Sequence, residues 1–341
     1  MTNAGDNFSE VDVAGDFPSP ALLPDGIRRP YILYVELFAA CDMSCPMCVT
    51  LPYWEGKRRM MSREMIREKL LEPAARNGVR QVLFGGGEPM LRKDALDIIA
   101  DADALGLRVW LATNLLRFDD DKMRQMLSAL DDPKHTIAIS YDSAVPAEMN
   151  VIRGGDVFDA VDANCRRLIA LRSDMQSRCE LVATTTVQKE NRASVKVTLD
   201  HILDTLGFDR INIGPRHDYQ AVQPASLHRQ QRSDWCEEHE TELLAAGLLI
   251  YARARKDRRI HVVGNVDDWV RFIRAPHSIQ RRCTADRIVF ANAEGVVRSC
   301  MFGTAIGDFR RQSYEDILQS DGFARSRDFI AKCNICIMSC A

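Results

Sequence analysis

Two groups among the chain's eleven cysteines are spaced for a shared task. Cys41, Cys45 and Cys48 stand in the run VELFAACDMSCPMCV at residues 35–49, a C-x3-C-x2-C loop. Three thiolates on one tight loop can face one point. A structural zinc site takes a fourth protein ligand, and neither His nor Cys stands near this loop in sequence. Thiolates also hold iron–sulfur clusters, and three of them leave one iron of a four-iron cube open to another ligand. The second group is Cys283, Cys300, Cys333, Cys336 and Cys340, in the order C-x11-G-x4-C, a gap, then C-x2-C-x3-C, with Gly295 as the glycine. A pair such as Cys333 and Cys336 can clamp one metal site, and four thiolates close it. A zinc ribbon is the alternative here, although its pairs take the close C-x2-C form on both sides and the first pair in this chain is wide. Cys165, Cys179 and Cys236 fall in helical or strand contexts and read as small buried hydrophobes.

The elements that must position these groups show as apolar strands alternating with amphipathic helices. Strands are expected at Ile32–Phe38, Gln81–Phe84, Arg108–Ala112, Thr136–Ser140, Glu180–Val187 and Arg210–Gly214. Helices are expected around Ser62–Arg76, Lys93–Leu105, Asp119–Leu130, Val157–Arg172 and Arg192–Leu206. Such alternation implies right-handed crossovers and an α/β fold built on a parallel sheet, either flat and doubly wound or curved into a partial barrel. The cysteine loop directly follows the first strand. The second strand ends in Phe84-Gly85-Gly86-Gly87-Glu88-Pro89, the third in Ala112-Thr113-Asn114 and the fourth in Ser140-Tyr141-Asp142-Ser143, all at the end where such sheets place ligands. Thr184–Thr186 divides between core and site, and His217 reads as an ordinary polar loop residue. The expected organisation is a flexible arm over 1–30, the strand–helix domain over 31–222, a helical connection over 223–282 and a cysteine-rich domain over 283–341. Within the last, Arg287–Ala291 and Val296–Arg298 form a hairpin around Asn292–Gly295 that brings Cys283 and Cys300 to neighbouring positions.

The cysteine loop after the first strand resembles the signature of the radical S-adenosylmethionine (SAM) superfamily, whose core is a partial (β/α)6 TIM-type barrel. The resemblance implies a 4Fe–4S cluster on Cys41, Cys45 and Cys48, with its open iron chelated by the methionine end of SAM. Phe84–Pro89 is similar to the family's Gly-Gly-Glu-Pro motif, which implies that Gly86, Gly87 and Glu88 meet the methionine amino group. By the same resemblance Ser140 and Asp142 lie near the ribose or carboxylate. Arg153, in Ile152-Arg153-Gly154-Gly155, takes the carboxylate, its alternative being a surface arginine before a helix. Met47 stands where the family usually has an aromatic residue near the adenine, and a thioether can make similar soft contacts. The tail resembles the SPASM and twitch extensions of the family. Five cysteines rather than seven fit the shorter twitch type with one auxiliary 4Fe–4S cluster, on Cys283, Cys300, Cys333 and Cys336. Cys340 either replaces one of these or stands nearby as a hydrogen-donating thiol.

What the resemblance implies for activity is reductive cleavage of SAM to a 5′-deoxyadenosyl radical that removes a substrate hydrogen, fed by an electron donor such as flavodoxin or ferredoxin. An auxiliary cluster that accepts the substrate's electron makes the outcome an oxidation, and the leading expectation is oxidation of a small, carbohydrate-like metabolite. Maturation of a ribosomally made peptide, by crosslinking or epimerisation, is the alternative, and a non-catalytic metal-binding scaffold is the alternative from another class. Peptide-modifying relatives often carry a leader-binding domain of about 80 residues ahead of the barrel, for which 30 residues are too few, and that tips the expectation toward a small molecule. The net charge of −3 is spread among interspersed acidic and basic residues, which argues against nucleic-acid and membrane partners. No apolar run approaches a spanning length and no signal core precedes the first strand, so a cytoplasmic protein is expected.

Overall fold

Period-two burial along the first strand decides which way the sheet faces. On β1 (Ile32–Phe38), Leu33, Val35 and Leu37 are wholly buried among helix residues such as Ile66, Leu70 and Ile98, whereas Tyr34, Glu36 and Phe38 point to the other face and are half-buried. The computed structural model describes residues 30–48, 60–217, 234–279, 283, 285–298, 300 and 303–333. Residues 1–29 of the expected arm, residues 218–222 at the end of the expected strand–helix domain, residues 223–233 of the expected connection, and Cys336 and Cys340 lie outside the described residues.

The remaining barrel strands are β2 (Gln81–Gly86), β3 (Arg108–Thr113), β4 (Thr136–Ser140), β5 (Glu180–Val187) and β6 (Arg210–Pro215). They pair in sequence order, each parallel to the last. Helical runs lie between them, including Ala95–Ala104, Asp120–Ala129, Phe158–Asp174 and Val195–Asp200, and their buried faces share one core with the outward face of the sheet. The six expected strands are therefore present, and every one of them ends on the same rim.

Two features enlarge that plan. The stretch 223–282 holds the helices Asp234–Glu238, Glu240–Ala254 and Val266–Arg274, but also β7 (Ile260–Val262), which pairs parallel with β6. Three residues are too few to display a period of two, so the sequence pattern misses it. At the opposite side, β8 (Ile288–Ala291) pairs parallel with β1, and β9 (Val296–Arg298) and β10 (Gly307–Asp308) follow it as an antiparallel extension. The expected hairpin is present, with Phe290 opposite Arg298, and it continues the barrel's own sheet. The edges of this open sheet are β7 and β10. Cys165, Cys179 and Cys236 are buried as expected.

Candidate active site

The path of the cysteine loop is fixed by two glycines from other units. Its backbone leaves β1 through Ala39 and Ala40, and the N–H groups of Gly87 and Glu88 donate to the carbonyls of Phe38 and Ala40 at 2.8 and 2.7 Å. A Cβ on Gly87 would collide with the Ala40 carbonyl, so the glycine run is what lets the two segments touch. Farther along, Ser44 Oγ donates to the Gly154 carbonyl at 2.9 Å. Gly154 ends the helix Pro146–Arg153 in the left-handed region at φ +73°, and a Cβ there would run into Ser44. The sequence reading assigned Gly86 and Gly87 to a ligand. In the structure their immediate neighbours are Glu36, Phe38 and the backbone leading into Cys41.

Glu88 is buried with both oxygens occupied. Oε1 accepts from the Met90 N–H at 3.0 Å and the Thr113 hydroxyl at 2.9 Å, and Oε2 accepts from the Asn114 N–H at 2.7 Å. Burial pushes its carboxyl up to about 7, against the pull of those donors. Asn114 carries the connection onward: its Nδ2 stands 2.7 Å from Asp42 Oδ1 and 3.7 Å from Cys41 Sγ. The Met43 N–H also donates to Cys41 Sγ, at 3.4 Å. Burial raises the Cys41 thiol to about 11, so loading a metal here would release protons.

Asp142 and Arg153 form a second buried centre, with Arg153 Nη2 2.5 Å from Asp142 Oδ2. Asp142 is fully buried, and its Oδ1 accepts from the Thr186 N–H at 2.7 Å. Arg153 is 8% exposed at the end of a helix, which overturns the reading of a surface arginine before one. That helix, eight residues with Pro146 in its first turn, is not among those expected from the sequence. The guanidinium faces Cys45, whose thiol is raised by burial and held down by this cation. Among the described residues Arg153 Nε is buried without a hydrogen-bond partner. Ser140 ends β4 level with Thr184 on β5, and Thr184 is exposed although its strand lies inside the sheet. Thr185 turns the other way and donates to the Tyr141 carbonyl at 2.6 Å. His217, expected as a loop residue, is buried against Phe272 instead.

Cys41, Cys45, Cys48 and Met47 are all half-buried on this rim, as are Cys283, Cys300 and Cys333 in the tail. Among the described residues no three His, Cys, Asp or Glu side chains converge as the ligands of one metal ion would. A four-iron cube is wider than an ion, and ligands at its corners stand farther apart. The soft donor set on one loop fits such a cluster, and the Arg153 guanidinium, which faces Cys45 and keeps Nε without a partner among the described residues, fits an incoming carboxylate. Asp42 and Ser44 were not singled out in the sequence, Thr113 was placed on the ligand rim only as part of the end of the third strand, and Gly154 was named only beside Arg153. Adjacency to Cys41 was the one available signal for Asp42, and a glycine closing a helical run was the signal for Gly154.

Comparison with known proteins decides the class. Residues 35–202, from β1 into the helical run before β6, match the family model described as Radical SAM superfamily. The chain belongs to the radical SAM superfamily. Within it, the chain is 38% identical over 103 residues to the PqqA peptide cyclase of Xanthomonas campestris pv. campestris, covering 30% of this chain and 27% of that protein. It is 29% identical over 190 residues to the PqqA peptide cyclase of Gluconobacter oxydans, covering 56% and 50%. The chain thus spans half or less of the length of these curated relatives. In fold it is similar to SuiB of Streptococcus suis bound to S-adenosylmethionine, with TM-score 0.65 and 13% identity over 87% of this chain and 68% of that one. It is also similar to anSMEcpe with bound AdoMet, with TM-score 0.62 and 15% identity over 87% and 82%. These radical SAM neighbours share the mixed α/β fold with its parallel sheet. No helix among the described residues is long and apolar enough to cross a membrane.

Proposed function

We propose that this radical SAM protein modifies a peptide, holding a 4Fe–4S cluster on Cys41, Cys45 and Cys48 and SAM above it. When bound, that pair supplies a 5′-deoxyadenosyl radical able to remove a substrate hydrogen. The reading rests above all on the kinship with PqqA peptide cyclases, at 38% identity over 103 residues and 29% over 190. The SuiB fold, also known with its precursor peptide SuiA bound, supports a rim able to take a peptide, with TM-score 0.59 to this chain. The balance therefore moves from the small carbohydrate-like metabolite to the peptide. In this reading Arg153 clamps the SAM carboxylate, Asp142 holds Arg153, and Gly86, Gly87 and Glu88 carry the loop. Ser140 and Thr184 face the substrate across the open face of the sheet, which also keeps Met47 close to the adenine. A twitch-type auxiliary cluster on Cys283, Cys300, Cys333 and Cys336, with Cys340 at hand, would accept the electron that an oxidative crosslink releases.

Iron and sulfide content after anaerobic reconstitution tests the cofactor assignment. About eight irons per chain, falling to about four in the triple Cys41/Cys45/Cys48→Ala variant, is the expected result for two cubes. For the substrate, a deuterated cell extract is split into peptides and peptide-free small metabolites, and each is incubated with the enzyme, SAM and reductant. Deuterium in 5′-deoxyadenosine from the peptide fraction supports the proposal; label arriving only from the metabolite fraction restores the earlier expectation.

A further inference from the structure

We propose that the Asn114 side-chain amide sets the reduction potential of the cluster at Cys41, Cys45 and Cys48 by donating to the Cys41 sulfur. This rests on the cluster assignment above and adds a residue to it. Asn114 is buried at the end of β3, in a turn built to present it. The next residue, Leu115, takes φ +55°, a conformation a branched side chain rarely adopts, and three side chains sustain it. Thr113 Oγ1 accepts from the Leu115 N–H at 3.1 Å, Asn114 Oδ1 accepts from the Leu116 N–H at 2.9 Å, and Asn164 Nδ2 donates to the Leu115 and Leu116 carbonyls at 2.8 and 3.0 Å.

Those bonds also fix which end of the amide faces the cysteine. Because Oδ1 is committed to an N–H donor, Nδ2 must point at Asp42 Oδ1 and Cys41 Sγ. The reverse placement would set a carbonyl oxygen against a carboxylate and a sulfur. Reduction adds negative charge, much of it on the sulfurs, so a donor to a ligand sulfur favours the reduced state and raises the potential, while a nearby carboxylate lowers it. Asn114 and Asp42 therefore act on Cys41 with opposite signs.

The test uses the reconstituted chain of 341 residues and an EPR-monitored redox titration. The signal followed is the one absent from the triple Cys41/Cys45/Cys48→Ala variant. Asn114→Leu, which keeps the shape and removes the donor, should lower the reduced-to-oxidised ratio at fixed potential by about tenfold, or about 59 mV for one electron. Asp42→Asn should move it the other way. Lack of that signal in the unaltered chain overturns the cluster assignment itself. An unshifted potential in Asn114→Leu with full iron content overturns the role of Asn114. Should that variant fail to assemble, the role is overturned if Asp42→Asn assembles and its potential does not rise.

Discussion

The Glu88 N–H meets the Ala40 carbonyl at 2.7 Å, one residue before Cys41, so the glycine turn after β2 and the cysteine loop after β1 are built as one piece. The neighbouring Gly87 is what allows it, since any Cβ there would strike Ala40. Gly87→Ala is accordingly expected to displace the loop. Iron at the first cysteine group should fall well below that of the unaltered chain after reconstitution, while the tail group keeps its iron. Equal iron content in both proteins would show that the loop can yield without losing its ligand geometry.

The opposite clamp, at Gly154, has a milder and separable part. Ser44→Ala removes the Ser44 Oγ bond to the Gly154 carbonyl but introduces no clash. A cost of about 1 kcal/mol in urea unfolding of the metal-free chain is expected. Gly154→Ala should cost more, because the substitution also forces an alanine to φ +73° against the Ser44 backbone. An order reversed from this would place the loop's anchor elsewhere.

Asp142 and Arg153 make a sharper case, since both are buried. Asp142→Asn leaves the guanidinium without its counter-charge and should destabilise the metal-free chain by about 3–5 kcal/mol, the usual result of breaking a buried pair from one side. Arg153→Lys should not restore the wild-type behaviour, because a point charge cannot reach Asp142 and Cys45 together as a planar fork does. Unfolding curves that superimpose for the unaltered chain and Asp142→Asn would remove Asp142 as the partner that holds Arg153.

Much of this fold was legible because parallel strands and the helices between them carry strong periods. The bounds of β1, β4 and β5 coincide with those expected from the sequence. The cysteine spacing was equally plain, because ligands on one loop must be close in sequence. What stayed hidden depends on partners distant in sequence. Nothing local announces that Gly87 abuts Ala40, that Gly154 abuts Ser44, or that β8 lies along β1 some 250 residues away. Short elements were lost for a different reason: β7 has three residues and the helix before Gly154 has eight, too few for a pattern to repeat.

Glu88 gives a pH prediction whose sign is fixed. Burial lifts its carboxyl to about 7, with Asp42 adding to the rise. A carboxyl raised on folding binds more protons folded than unfolded, so its contribution to stability falls as pH climbs from the ordinary carboxyl value toward 7. Relative to Glu88→Gln, the unaltered metal-free chain should lose on the order of 3 kcal/mol of unfolding free energy between about pH 4.5 and pH 7. His217, which burial lowers to about 4, contributes with the opposite sign over part of that window, as it gains stability with rising pH. Both proteins carry His217, so the comparison cancels it. A difference that does not change with pH would mean that the three donated hydrogen bonds keep Glu88 ionised as an ordinary carboxyl.

Thr184 tests where the substrate lies. It stands inside the sheet, level with Ser140 on β4 and Asn212 on β6, yet it is exposed, so the face above these three strands is open. A tryptophan at 184 would fill that space from β5, whereas the cysteine loop follows β1 and Asp142 is held two residues further along β5, by the Thr186 N–H. Thr184→Trp should therefore retain iron content and SAM cleavage to 5′-deoxyadenosine. Deuterium transfer from substrate should fall about tenfold or more, the loss that about 1.4 kcal/mol of misplaced transition state produces. Undiminished transfer would place the substrate away from β4, β5 and β6, on the side of the sheet where Glu36 accepts from the Ala293 N–H at 3.4 Å and the tail joins the rim.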